Sequence, residues 1–183
     1  MYRGYRRWIS RDLEPAVRAP DVTVASVNTS HGIQWHTLTT RLRDLAVVGA
    51  VRASQWTAAG KTLAAAPSGD LRVLMLHHNL LAGKLSRRWG LTARATGIDD
   101  AIATGCEVVL CGHDHEARVE QVERAGRRIV VSQVNTLSNR ARGGRPAGYH
   151  EIAWDAATVT VRQLQWDAAA GDFIDAASWS FAR

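Results

Sequence analysis

Two apolar segments of the chain end directly in histidines, and this feature constrains the fold more than any other. Residues 72–77 read Arg-Val-Leu-Met-Leu-His, and residues 107–111, Glu-Val-Val-Leu-Cys, run into Gly112-His-Asp-His115. Short, nearly continuous apolar runs of this kind are typical of parallel strands that are buried on both faces. Ligand sites of open α/β sheets lie outside the carboxyl ends of the strands, so the histidines stand where such a site would form.

The rest of the pattern predicts a single α/β domain over residues 1–183. A strand is expected over 22–27, and helices over 54–66 and 91–105, with Ser54 as the N-cap and Gly105 as the C-terminal glycine. After residue 116, alternating apolar and polar residues predict antiparallel strands, and an Arg- and Gly-rich loop separates the second from the third. These strands are expected over 118–123, 128–134, 149–154 and 159–166, with the loop over 135–148.

Composition excludes several classes of protein. With 183 residues, 46% of them hydrophobic, the chain falls in the ordinary globular range. No run approaches the roughly 18–20 apolar residues of a membrane-spanning helix, so no membrane span is expected. Cys106 and Cys111 flank an apolar strand and are interpreted as buried thiols rather than a disulfide framework. Without an apolar secretory segment near the start we expect a cytoplasmic protein, although the biological chain could begin upstream of Met1.

Three of the histidines form a candidate metal site. Imidazole is the commonest side-chain ligand for transition metals, and an i, i+2 pair in a tight turn can present two nitrogens. A lone histidine at a strand end is more often an ordinary hydrogen-bonded residue. His77, His113 and His115 together, at the ends of two neighbouring strands, favour metal binding. His78 is interpreted as a supporting or pocket-wall residue, and Gly112 as the residue that permits a close backbone approach. The ordinary interpretation is kept for the remaining candidates, His31, His36 and His150.

Both segments together resemble a known family. Val73-Leu-Met-Leu-His-His-Asn79 and Val108-Val-Leu-Cys-Gly-His-Asp-His115 are similar to the last two motifs of the calcineurin-like metallophosphoesterases, nearest to the cyclic-nucleotide phosphodiesterase branch. Weaker similarities extend the resemblance over residues 22–183. The resemblance implies that the chain folds as the C-terminal part of a four-layer α-β-β-α sandwich. These weaker matches are Val27-Asn-Thr29, Ser54-Gln55, residues 135–140, Trp166-Asp167 and Gly171-Asp-Phe173.

The resemblance also implies a reaction and roles for single residues. In that family a hydroxide held between two divalent ions (Mn, Fe or Zn) attacks the phosphorus of a phosphate ester. His77 and His113 would bind one ion and His115 the other. Asp114 would face outward or brace the turn, and Asn79 would line the pocket.

The first three motifs of that family, Asp-x-His, Gly-Asp-x-x-Asp/Asn and Gly-Asn-His-Asp/Glu, are absent ahead of this region. The one literal match, Gly171-Asp-Phe-Ile-Asp175, follows the last strands and is interpreted as a hairpin turn. Three neutral imidazoles without a bridging carboxylate do little to offset the repulsion between two dications. We therefore expect weak or single-metal binding and no hydrolysis by this chain alone. The missing motifs also suggest that the chain is a fragment of the family's fold, and we expect such a fragment to self-associate through an unpaired sheet edge.

Three functional hypotheses remain open. The first is the C-terminal portion of a two-metal phosphomonoesterase or phosphodiesterase acting on a phosphate-ester substrate. The second is a non-catalytic binding or scaffolding module with a degenerate version of the same fold. The third is nucleic-acid binding through arginines of the glycine-rich loop and of the N-terminal segment, with aromatic rings stacking on bases. The residues concerned are Arg140, Arg142 and Arg145, then Arg3, Arg6 and Arg7, and Tyr2, Tyr5 and Trp8.

Overall fold

The structure, a computed structural model, describes residues 2–31, 48–82, 90–91, 94–137 and 145–183. His36, Arg140 and Arg142, singled out above, lie outside these residues. The helices in the described part are α1 (Arg3–Trp8), α2 (Ala53–Ala64) and α3 (Arg94–Ala103). The strands are β1 (Ala16–Ala19), β2 (Val22–Val27), β3 (Leu71–His78), β4 (Val108–Gly112), β5 (Arg118–Arg124), β6 (Arg127–Gln133), β7 (Gly148–Trp154), β8 (Thr158–Asp167) and β9 (Asp172–Ala182).

A six-stranded mixed sheet carries the fold. Its strand order is β1-β2-β3-β4-β6-β5, and β2, β3, β4 and β6 run parallel. The antiparallel strands β1 and β5 form its two edges, and β7, β8 and β9 form a separate antiparallel sheet. The prediction of an α/β fold is confirmed, and the two histidine-terminated segments are neighbouring parallel strands at its centre.

The described elements stack in three layers. One face of the six-stranded sheet packs against α2 and α3 through residues such as Leu74, Val109 and Leu63. The other face packs against the three-stranded sheet, where Val73 and Val108 meet Val161. Burial on both faces accounts for the continuous apolar character of β3 and β4. The described residues do not include a helical layer outside the second sheet, so the four-layer sandwich stays a prediction.

The second sheet leaves part of the large sheet open. Met75 lies on the central strand β3 and is 42% exposed. The sheet edge differs from the prediction, because β1, which the sequence did not reveal, pairs with β2 and forms a short exposed edge of four residues. Arg18 of this strand donates to the carbonyl of Ala65 at 3.1 Å. Short, charged edge strands resist pairing with other chains, and self-association through a sheet edge stays a prediction.

Several local expectations are resolved. Helix α2 begins at Ala53, and the side chain of Gln55, not that of the predicted cap Ser54, accepts from the amide of Arg52 at 2.8 Å. Gly105, with φ of +77°, follows the last helical turn as predicted. Gly171, with φ of +66°, lies in the β8–β9 turn, which confirms the hairpin interpretation. In the described part of the chain no helix is long and apolar enough to cross a membrane.

Candidate metal centre

His77 and His113 meet at the carboxyl ends of β3 and β4. Nε2 of His77 lies 3.2 Å from Nδ1 of His113, and the two rings are nearly perpendicular with centroids 5.1 Å apart. The two residues are far apart in sequence but end up together because their strands are adjacent and parallel. The structure therefore brings together the two histidines that the sequence assigned to one ion.

His78 is a third donor in the same group. His77, His78 and His113 each offer one nitrogen, and the three nitrogens lie within 4.8 Å of one another. Strict strand alternation would send His77 and His78 to opposite faces. The β3–β4 register shifts between Met75 and His78, and the His78 ring lies 4.3 Å from that of His113, centroid to centroid. The residue expected to support the pocket thus lies within the group itself.

Thr29 fixes the orientation of the His78 ring. Its Oγ1 lies 2.6 Å from Nδ1 of His78 and accepts from the backbone amide of His78 at 3.3 Å. Both residues are buried. A hydrogen bond to one ring nitrogen selects the other as the ligand, so His78 would coordinate through Nε2. Gly49 packs directly against the same ring, since a Cβ there would collide with it.

The turn after β4 is braced by Asp114. Its amide donates to the carbonyl of Gly112 at 3.0 Å, and its Oδ2 accepts from Nδ2 of Asn79 at 2.9 Å. The role of Asp114 beside a bound ion stays a prediction. The left-handed backbone falls on His113 (φ 75°) and His115 (φ 57°), a conformation that stores about 1–3 kcal/mol at each non-glycine residue.

Gly112 is not tightly packed against its protein neighbours. A Cβ there would lie 3.7 Å from the carbonyl oxygen of Val134, which is ordinary van der Waals contact. A close approach of the Gly112 backbone to a ligand therefore stays a prediction. A glycine is required at Gly90, where a Cβ would lie 2.5 Å from the amide nitrogen of Asn79.

His115 lies outside the group of three but electrostatically close to it. Its Nδ1 is buried and has no hydrogen-bond partner among the residues that the structure describes. Partial burial of the His77 ring, and secondarily the charge on His115, lowers the pKa of His77. A lowered pKa keeps His77 in the neutral form that binds metals. The assignment of His115 to a second ion stays a prediction.

The donor set fits one transition-metal ion. Zinc–imidazole bonds of about 2.0–2.1 Å in tetrahedral geometry separate two ligand nitrogens by about 3.3 Å. The two rings of His77 and His113 are within hydrogen-bond distance at 3.2 Å, a spacing that is also compatible with two zinc ligands. The three nitrogens, within 4.8 Å of one another, would have to move closer by about an ångström or more to bind one ion. Imidazole suits Zn and Fe, and among the described residues the group contains no carboxylate. The residues therefore fit a single ion better than a pair.

Sequence reasoning missed three residues that shape the centre. Thr29 reaches His78 across 49 positions, and Gly49 and Gly90 act by having no side chain. Thr29 stands in the Val-Asn-Thr loop that the resemblance had marked, which was the available signal. Nothing in the local sequence distinguishes Gly49 or Gly90.

The other histidines have ordinary partners where they are described. Nε2 of His31 lies 3.2 Å from Oε1 of Gln55. Nδ1 of His150 lies 2.8 Å from Oγ of Ser132, and burial lowers the pKa of His150 to about 4. Both contacts agree with the interpretation of these residues as structural.

No family model and no curated protein matches the chain. The solved structures that resemble it include the following three. Vacuolar Protein Sorting 29 from Cryptosporidium parvum is 16% identical with a TM-score of 0.39, and the match covers 56% of this chain and 50% of that one. The chain thus matches about half the length of that protein.

The other two matches are longer. A conserved uncharacterized protein from Streptococcus pneumoniae, described as a predicted phosphoesterase, is 13% identical with a TM-score of 0.34, over 87% of this chain and 97% of that one. A Vps29 single mutant from Entamoeba histolytica is 10% identical with a TM-score of 0.31, over 84% and 99%. Similarity at this level establishes neither a family nor an activity.

Proposed function

We propose that the chain holds a divalent transition-metal ion through His77, His78 and His113 and forms part of a metal-dependent phosphoesterase. The observation that carries this proposal is the 3.2 Å contact between imidazole nitrogens from two neighbouring strands. When bound, such an ion acts as a Lewis acid on a phosphoryl oxygen and makes hydroxide available near neutral pH. The substrates would be phosphomonoesters or phosphodiesters.

The chain's own residues would preorganise this centre. Thr29 holds His78 in one orientation, and Asn79 holds the Asp114 carboxylate that braces the turn. The left-handed backbone at His113 stores strain that the surrounding contacts must overcome. Donors fixed in this way lose little freedom when an ion binds.

The donor set also argues for an incomplete hydrolytic site. Neutral imidazoles leave the +2 charge of an ion uncompensated, and the described residues place no carboxylate in the group. Two ions a few ångströms apart would repel strongly without bridging anions. We therefore propose that this chain binds one ion and hydrolyses esters slowly or not at all, unless ligands from outside the described residues complete the site.

Metal titration by calorimetry tests the binding. Zn²⁺ should bind at about one ion per chain and more tightly than Mn²⁺, which prefers oxygen ligands, and His113→Ala should abolish the Zn²⁺ binding. Thr29→Val, which keeps the shape but removes the hydroxyl, should weaken binding by about 10- to 100-fold. His31→Gln is the matched control, because His31 lies outside the group and contacts Gln55. Unchanged binding in His113→Ala would contradict the proposal.

An activity assay separates the enzyme from the non-catalytic module. A longer polypeptide that carries the Asp-x-His and Gly-Asn-His motifs upstream should hydrolyse bis(4-nitrophenyl) phosphate faster than this chain does. The lack of a carboxylate in the group favours the second candidate, a scaffold with one structural ion. Metal binding without turnover in that longer chain would establish the scaffold and rule out the esterase.

A further inference from the structure

The N-terminal segment is a strongly charged part of the described chain that the metal centre does not use. Residues 3–11 contain four arginines and no acidic residue, whereas the whole chain has a net charge of +6. Helix α1 buries none of its residues, and all four arginines are exposed. The four are Arg3, Arg6, Arg7 and Arg11. A concentration of exposed positive charge of this kind attracts a polyanion.

Exposed aromatic rings lie among these arginines. Trp8 is 77% exposed, and Tyr5 is also exposed. The guanidinium carbon of Arg7 lies 4.7 Å from the centroid of the Trp8 ring. Aromatic faces beside arginines are the components of surfaces that stack unpaired bases while holding the phosphate backbone.

The segment is fixed at the same end of the sheet as the imidazoles. At its start, the Tyr2 hydroxyl donates to Oδ1 of Asn28 at 3.1 Å. Beyond its end, Oε1 of Glu14 accepts from the amide of Asn28 at 2.9 Å and also from the side-chain amide of Gln55. Asn28 directly precedes Thr29, the residue that orients His78. The basic segment is therefore held beside the metal centre at both ends.

We propose that residues 3–11 are a binding surface for single-stranded nucleic acid at the rim of the metal centre. Charge complementarity and the exposed rings support this occupant. A lipid surface fits less well, because interfacial helices are commonly about 20–30 residues long and α1 has six. As the substrate class of the centre, nucleic acid rests on the phosphoesterase proposal above, whereas binding to this surface does not.

Fluorescence anisotropy with a labelled oligo-dT, in EDTA so that no metal contributes, tests the binding. Four phosphate contacts to a single strand predict an affinity loss of about 50-fold between about 50 and 200 mM salt. The variant Arg3→Gln/Arg6→Gln/Arg7→Gln keeps one arginine of the segment, so its loss over that range should be only about 3-fold. It should also bind weakly at low salt.

A matched control removes the same charge elsewhere. Arg124, Arg127 and Arg128 are exposed around the β5–β6 turn, at the opposite end of the parallel strands from the imidazoles. The variant Arg124→Gln/Arg127→Gln/Arg128→Gln should keep the salt dependence of the unchanged protein. Equal losses in both triple variants would overturn the proposal, because net charge alone would then explain the binding.

Two further measurements test whether the aromatic ring contributes to binding and whether the surface prefers nucleic acid to a membrane. Trp8→Ala should weaken oligo-dT binding by about fivefold or more, and Trp8→Phe should retain most of it. Trp8 is too exposed for either change to unfold the protein. Binding to vesicles of phosphatidylserine and phosphatidylcholine without binding to oligo-dT would overturn the proposal in favour of a membrane.

The outcomes also separate this inference from the proposed function. Hydrolysis of the aryl phosphodiester without oligo-dT binding would overturn the nucleic-acid surface alone. Oligo-dT binding without hydrolysis in any longer chain would support the nucleic-acid surface and rule out the proposed esterase.

Discussion

Replacing Gly90 by alanine should destabilise the protein and weaken its metal centre. A Cβ at this position would lie 2.5 Å from the amide nitrogen and 2.8 Å from the carbonyl oxygen of Asn79. Both are backbone atoms, so no side-chain rotation relieves the contact. Forced overpacking of this kind costs about 1–3 kcal/mol of the free energy of unfolding. For a chain of this length, each kcal/mol lowers Tm by about 2–4 °C, so Tm should fall by about 2–12 °C.

Gly60→Ala is the matched control. Gly60 lies inside α2, and a Cβ there would lie 3.5 Å from the Cα atom of Thr104, an ordinary contact. Alanine is favoured over glycine in a helix by up to about 1 kcal/mol. The same chemical change should therefore raise Tm by about 2–4 °C at this position.

Thermal unfolding followed by circular dichroism, with and without Zn²⁺, compares the two variants. Asn79 holds the Asp114 carboxylate, so Gly90→Ala should also reduce the stabilisation that Zn²⁺ gives, whereas Gly60→Ala should not. A Tm for Gly90→Ala equal to or above that of the unchanged protein would refute the steric reasoning. A fall in Tm with an unchanged response to Zn²⁺ would refute the link between Asn79 and the metal centre.

Three other predictions concern the sheets. Burial lowers the pKa of His150 from 6.5 to about 4 and so favours its neutral form. The stability that neutral His150 contributes should be complete above pH 6.5 and should disappear as the pH falls towards 4. Between these two pH values, His150→Gln should flatten the pH dependence of the urea unfolding midpoint. Arg183, whose side chain is 11% exposed, donates to the Glu107 carboxylate at 2.8 Å, so Arg183→Met should cost about 1–3 kcal/mol in urea unfolding. Arg162 pairs with Asp175, but its side chain is 46% exposed, so Arg162→Met should lower the free energy of unfolding by less than about 1 kcal/mol. Equal losses of unfolding free energy in the two arginine variants would contradict this ranking. Sedimentation velocity should show concentration-dependent association that Met75→Gln reduces, and a monomer at every concentration would exclude association through the open face.

The convergence of His77 and His113 could be predicted because it depends on strand order and direction alone. Continuous apolar runs indicated parallel strands, and parallel strands bring their carboxyl ends to the same edge of the sheet. The membership of His78 could not be predicted in this way. It depends on a local register shift in β3, for which the sequence carries no marker.

The elements that escaped prediction have weak local signals. Strand β1 is only four residues long, and α1 contains a glycine and two aromatic residues, which are poor helix formers. Helix α2 begins at Ala53 rather than after a Ser54 cap, and the Gln55 side chain accepts from the backbone amide of Arg52, the residue before the helix. A contact distant in sequence holds the start of the α1 segment, where the Tyr2 hydroxyl donates to Asn28.

The exposure of Met75, close in sequence to the candidate metal centre, makes its thioether accessible to oxidants. Met75 lies two residues before His77 on β3, and both residues are exposed. Hydrogen peroxide transfers one oxygen atom to an exposed thioether and leaves as water, so Met75 should be converted to the sulfoxide when the protein is treated with peroxide. The chain has two methionines, Met1 and Met75, so peptide mass spectrometry would locate the oxidised sulfur without ambiguity.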